Sequence, residues 1–189
     1  MGTRFTEMGP ERREFIEKQK MFLNGTTPPD GRVNVFQKRM VSLPALDANR
    51  VVWLYLTDSG NESAVHVVEN DRLIIMFCAF EGSPLALRLG GHAQAIYPRD
   101  PRWSELYALL SATPSARRIF DMLVDIVQKS YRSAMPFFHF NEQQDILEKW
   151  AQRRNRQVFQ GYWEDRNQES IDGNPTNIIA SHNGAKTLA

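Results

Sequence analysis

The sequence predicts a mainly β domain with flanking helices. Residues 51–56 and 73–80 are short apolar runs rich in branched and aromatic side chains, bounded by Gly, Pro, Ser and Asn, as in strands of one sheet. The second run is apolar on both faces for most of its length, which suits a strand covered on both sides. Residues 85–96 read as a further strand, with Gly90 and Gly91 marking a bulge or a close backbone approach.

The elements follow in chain order. Residues 11–24 are predicted to be a helix: Phe15, Ile16, Met21, Phe22 and Leu23 can line one broad face, and Asn24-Gly25 closes it. Thr26-Thr27-Pro28-Pro29 breaks the helix, and Asp30-Gly31 suggests a tight turn into a strand. From residue 32 to 35 polar and apolar residues alternate, so Val33 and Val35 share a face. Lys38 ends this segment. By residue type it is either a solvated lysine at a strand end or an ammonium placed to bind a phosphate.

The loop from Thr57 to Ser63 holds hydroxyls, an amide and glycine at close quarters. It is either an ordinary turn that uses Gly60 for its backbone angle or a donor-rich anion site. Residues 63–69 form a short helix with Asn61 or Ser63 as N-cap, and its N-terminus would aim free N–H groups at a nearby phosphate. Formal positive charge there would come from Lys38 and Arg88. Residues 103–110 are a predicted helix, and 115–129 fit a helix as well as a strand. Residues 141–157 read as a helix with Asn141 as its cap and Ile146, Leu147 and Trp150 as its stripe; Phe159, Tyr162 and Trp163 add a second aromatic patch.

Composition sets limits. At 189 residues the chain is expected to be one domain over 1–175, with a mobile polar tail over 176–189. The net charge of +1 gives no bulk field to recruit nucleic acid or anionic membrane. No apolar segment approaches the ~20 residues that span a bilayer, so a cytoplasmic protein is expected. The lone Cys78, within an apolar run, reads as a buried filler. His66 and His92 lack a partner at metal-ligand spacing, and no catalytic motif of hydrolases, P-loop enzymes or zinc proteases is present.

The run from Thr57 to His66, then Arg72, then Met76-Phe77-Cys78-Ala79-Phe80-Glu81-Gly82 and Leu87-Arg88-Leu89 resembles the pyridoxamine 5'-phosphate oxidase-related flavoproteins. These are small FMN-binding split β-barrels. The likeness extends from about residue 15 to 173, and Asn167-Gln168-Glu169-Ser170-Ile171-Asp172-Gly173 matches the family's C-terminal wording. It is to the broad family, not to the vitamin B6 enzyme.

The resemblance implies a strand over roughly 119–128 and a role for Lys38 at the flavin phosphate. It implies an FMN-dependent oxidoreductase that passes hydride between flavin N5 and a small substrate, in a homodimer with sites between subunits. Candidate cofactor contacts are Lys38, Thr57, Ser59, Asn61 and Ser63 at the phosphate and ribityl end, with Arg88 as a further cation and Trp163 as an apolar wall. A flavin is expected to do the redox work that no side-chain constellation supplies. The wording departs from the family at Phe36-Gln37, at Arg39, at Glu62-Ser63 and at Tyr131-Arg132. The alternatives are therefore a deazaflavin cofactor or a flavin-free split barrel that serves as a binding or structural protein.

Overall fold

The computed structural model describes residues 2–39, 43–57, 61–131, 136–144 and 146–179. In chain order the elements are β1 (Thr3–Phe5), α1 (Pro10–Lys18), β2 (Met21–Thr26), β3 (Asn34–Arg39), β4 (Arg50–Leu56) and α2 (Glu62–Asn70). They continue with β5 (Arg72–Cys78), β6 (Leu85–Ile96), α3 (Trp103–Tyr107), β7 (Ala116–Tyr131), α4 (Ile146–Gln152) and α5 (Arg156–Arg166).

The strands form one antiparallel sheet in the order β1-β7-β6-β5-β2-β3, with β4 also paired to β7. The sheet curls until β3 and β4 face each other, where the Phe36 and Tyr55 rings lie 6.4 Å apart. This is the split β-barrel. Its interior holds Phe22, Trp53, Tyr55, Phe77 and Phe120, all buried. Trp53 stacks on Phe120 at 5.2 Å and meets the edge of Phe22 at 6.1 Å. Aromatic pairs in these geometries add to the stabilisation from area burial.

Four expectations change. The helix expected over 11–24 ends at Lys18, and Met21–Thr26 is a strand in which Phe22, Asn24 and Thr26 are buried and Met21, Leu23 and Gly25 are less so. Alternation in that stretch outweighs its helical spacing, because β2 pairs with both β3 and β5. The helix expected over 141–157 is broken: α4 starts at Ile146, and a new helix starts at Arg156 with Asn155 as its cap, its side chain accepting from the Val158 N–H at 3.2 Å. Cys78 is only partly buried. It lies on the outer face of β5, alternating with inward Phe77.

Strand β5, expected to be covered on both faces, is covered on one: Leu73, Ile75 and Phe77 are buried, whereas Ile74 on the other face is exposed. β6 spans Leu85–Ile96, and its register with β7 shifts between Gly90 and Gly91. A Cβ on Gly91 would collide with the Leu123 carbonyl, so the close backbone approach there requires glycine. The ambiguous 115–129 stretch is strand β7. At its middle Asp121 accepts from Arg50 at 2.8 and 3.0 Å and also from Arg102, which ties the α3 end to the sheet. Burial raises the Asp121 pKa, but the two guanidinium partners outweigh it and hold the carboxyl below its ordinary value. Of the tail expected over 176–189, the structure describes residues 176–179, and the rest lies outside the described residues. Thr176 and Ile178 are buried, with Tyr97 donating to the Thr176 carbonyl and Arg99 to that of Ile178. Among the described residues no helix is long and apolar enough to cross a membrane, and no group of three His, Cys, Asp or Glu could hold a metal ion.

Candidate functional site

The barrel's inner wall is not uniformly apolar. β2 turns Asn24 and Thr26 inward, β3 begins with Asn34, and α2 lays Ser63 and His66 over them. Such groups stay buried only if they are paired. The Ser63 hydroxyl oxygen accepts from the side-chain amides of Asn24 at 2.9 Å and Asn34 at 3.0 Å, and lies 3.4 Å from the Tyr55 hydroxyl. His66 Nδ1 is 3.0 Å from the Thr26 hydroxyl. Burial disfavours the imidazolium and lowers the His66 pKa, against the smaller opposing effect of Thr26. Lys38 joins from β3, its Nζ 3.4 Å from the Tyr55 ring centre and 4.1 Å from that of Phe36, which is cation–π range.

A second set of polar residues meets at the end of β4. The Thr57 N–H and hydroxyl both donate to the Ser115 carbonyl, at 2.8 and 3.1 Å, and the Thr57 hydroxyl oxygen accepts from the Trp163 indole at 3.0 Å. Asn61 occupies the N-cap position of α2 without capping it. Its carbonyl oxygen instead accepts from Arg117 at 3.2 Å and Arg118 at 3.3 Å. Arg117 also donates to Asn167 Oδ1 at 2.7 Å. Glu62 accepts from the Asn61 N–H at 3.0 Å and the Ile171 N–H at 3.3 Å.

Arg117 and Arg118 are the residues that sequence reasoning missed. Both are wholly buried, which is rare for arginine. The Arg118 Nε and Nη1 groups find no hydrogen-bond partner among the described residues. Its guanidinium lies 5.5 Å from the Tyr97 ring centre. They open an apolar run, a position where charges are usually solvated, so nothing local signals their burial.

The structure therefore brings Lys38, Thr57, Asn61, Ser63 and Trp163 into one connected region around Tyr55 and the start of α2. Ser59 lies outside the described residues. Arg88 stands apart: Leu87 and Leu89 point inward and are fully buried, so Arg88 faces the outer surface, where it donates to Gln128 at 3.4 Å. This donor set suits an anion at its guanidinium side. The hydroxyls of Thr57 and Ser63 are already engaged within the protein, so the donors with capacity for a phosphate are the unmatched Nε and Nη1 groups of Arg118.

The pyridoxamine 5'-phosphate oxidase family model matches residues 8–132, more than half of the sequence. The chain belongs to the pyridoxamine 5'-phosphate oxidase family. Among characterised relatives, the Aspergillus flavus pyridoxamine 5'-phosphate oxidase family protein ustO is 33% identical over 95 residues, covering 49% of this chain and 38% of that protein. The chain thus matches well under half of that relative's length. A crystal structure of a HupZ variant from Group A Streptococcus superposes with a TM-score of 0.53 at 17% identity, covering 65% of this chain and 99% of that one. A Clostridium acetobutylicum protein related to general stress protein 26 gives 0.51 at 14% identity, with 65% and 87% covered. A putative pyridoxamine 5'-phosphate oxidase of Lactobacillus delbrueckii gives 0.50 at 16%, with 65% and 94% covered. At these identities the superpositions speak for the fold alone.

Proposed function

We propose that this protein is an FMN-binding oxidoreductase of small molecules that works as a homodimer. The observation that carries this reading is Arg118, a buried guanidinium beside the N-terminus of α2 with two N–H groups unmatched among the described residues. Buried donors left unpaired are costly, on the order of 1–3 kcal/mol each, and an oxyanion seated there would remove that cost. In this reading Arg118 and Lys38 hold the flavin phosphate, and the α2 dipole favours its charge. Asn61 orients Arg118 through its 3.3 Å hydrogen bond. Trp163 and Thr57 fix the wall of the site by their mutual hydrogen bond. The bound flavin supplies hydride transfer at N5, and the protein's residues bind and orient it.

The homodimer finds support on the outer face of the sheet. Val35, Gly25, Ile74, Gly90 and Ile126 are aligned by register across β3, β2, β5, β6 and β7. Val35, Ile74 and Ile126 are exposed, as is Leu123 nearby. A continuous apolar strip of this kind is the usual surface of a subunit contact.

A second reading, a flavin-free barrel, is favoured by a specific observation. The side chains of Thr57, Ser63 and Trp163 already satisfy one another or their neighbours, as a structural keystone would. The two readings part in one experiment: the absorbance spectrum of the purified protein, followed by titration with FMN at low micromolar concentration. Flavin bands or saturable quenching, weakened about tenfold or more by Lys38→Glu, is the result expected of the first. Absence of flavin and of binding would leave the second.

A further inference from the structure

Residues 136–144 run as a strap from the end of β5 to the end of β3. The Phe138 N–H donates to the Phe80 carbonyl just beyond β5 at 3.0 Å. The Phe140 N–H donates to the Glu81 carboxylate at 3.0 Å, and the Gln144 carbonyl accepts from Arg39, the last residue of β3, at 3.3 Å. The Phe80 and Phe138 rings meet edge to face at 5.4 Å. Between the strap, the last turn of α1, the start of β2 and the turn after β5 lies a cavity of about 810 Å³. That volume lies within the range of small-molecule sites, about 300–1,000 Å³.

The walls of the cavity are aromatic: Phe15, Phe80, Phe138 and Phe140, with Met21 and Leu85 between them. Rings so arranged offer both edges and faces to a flat π-system. The charged groups at the rim are not equivalent. Lys18 is paired with Glu14 at 2.6 Å, and Glu81 is engaged by the strap N–H and lies 3.9 Å from His139. Glu142 is exposed. Lys20 makes no ion pair among the described residues, and its ammonium stands 5.5 Å from the Phe140 ring centre. A cation at the edge of an aromatic wall complements a ring that carries a negative substituent.

This cavity is separate from the polar region around Ser63. Met21 lines it from one end of β2, whereas Asn24 and Thr26 face the barrel interior toward the other end. The five residue steps from Met21 to Thr26 span about 17 Å of strand, and alternation puts the two sets on opposite faces.

We propose that the cavity under the 136–144 strap binds a flat aromatic molecule bearing a carboxylate or sulfonate, with the ring among the four phenylalanines and the charge on Lys20. The proposal does not depend on flavin binding elsewhere. Its test uses 8-anilinonaphthalene-1-sulfonate as probe on the full chain. Saturable, blue-shifted fluorescence at one site per chain is expected, with unchanged near-UV circular dichroism to exclude dye uptake by a loosened core. Lys20→Glu, a surface change, weakens the dye at least tenfold, as does Phe138→Ala. FMN titrations of the same variants, followed by flavin fluorescence, match the wild type whatever that result is. Non-saturable dye binding, equal affinity in Lys20→Glu, or stoichiometric displacement of the dye by FMN would each overturn the assignment.

Discussion

The Trp163 indole donates to the Thr57 hydroxyl at 3.0 Å across 106 residues of sequence. Thr57 passes the connection on to the Ser115 carbonyl. These two hydrogen bonds join α5 to the end of β4 and to the approach to β7. Trp163→Phe keeps the ring and removes the donor. It is expected to cost about 1 kcal/mol and to lower Tm by roughly 2–4 °C. Calorimetry of the variant, with Thr57→Val and the double substitution completing a cycle, measures the coupling directly.

Arg118 separates ligand binding from stability. A buried cation with unmatched N–H groups contributes little to the fold, and an apolar replacement of similar length is often neutral or stabilising. Arg118→Met is expected to keep or raise Tm while weakening FMN about tenfold or more. A fall in Tm with flavin affinity untouched would show that the guanidinium serves the core instead.

The two buried or paired histidines give opposite pH dependence. Burial lowers the His66 pKa, so the unfolded chain takes up a proton near pH 6.5 before the native state does. Its contribution to stability is present above that pH and lost as pH falls. The hydrogen bond from His92 to Asp71, 2.8 Å long, raises the His92 pKa, so its contribution is present below about pH 6.5 and lost as pH rises. Melting curves of His92→Ala between pH 5 and 8 are expected to lose the gain that wild type shows on going from pH 8 toward 6.5. The decline below pH 6.5, which belongs to His66, remains.

Ile126 tests the subunit contact. It lies beside Gly90 at the β7 end of the outer apolar row. A lysine there would place a charge on the strip, and burying it without a partner is strongly unfavourable. Ile126→Lys is expected to convert a dimer into a monomer by light scattering while leaving circular dichroism unchanged. A wild type that runs as a monomer at high concentration removes the dimer from the proposal.

Much of the barrel was legible because its strands carry local signals. β4, β5 and β6 are apolar runs with turn residues at their ends, and Gly90-Gly91 announced the register shift seen between them. Where two periods competed, the local reading failed. Met21, Phe22 and Leu23 fit a helical face, and only pairing with β3 and β5 decides for the strand. The break before α5 rests on Asn155, an ordinary polar residue until its side chain caps a helix. The site was legible in part for the same reason. Thr57, Asn61 and Ser63 sit in one loop and helix start, so sequence proximity revealed them. Arg117 and Arg118 reach Asn61 from more than fifty residues away, and nothing in their own neighbourhood marks them as interior. Arg88, a plausible cation by wording, is turned outward by the two-residue alternation of β6.

The bond from Arg117 to Asn167 also bears on the order in which a growing chain can mature. The seven strands among the described residues are complete by Tyr131, so a nascent chain could pair its sheet early. Arg117 would then still lack its 2.7 Å acceptor, and Tyr97 and Arg99 would lack the carbonyls of Thr176 and Ile178 that they reach in the finished protein. Domains commonly fold as their residues emerge during synthesis. Here the last turn of assembly waits for segments made well after the barrel, at Asn167 and at Thr176–Ile178, which leaves an interval in which a ribosome-bound intermediate has its sheet but not its clasp.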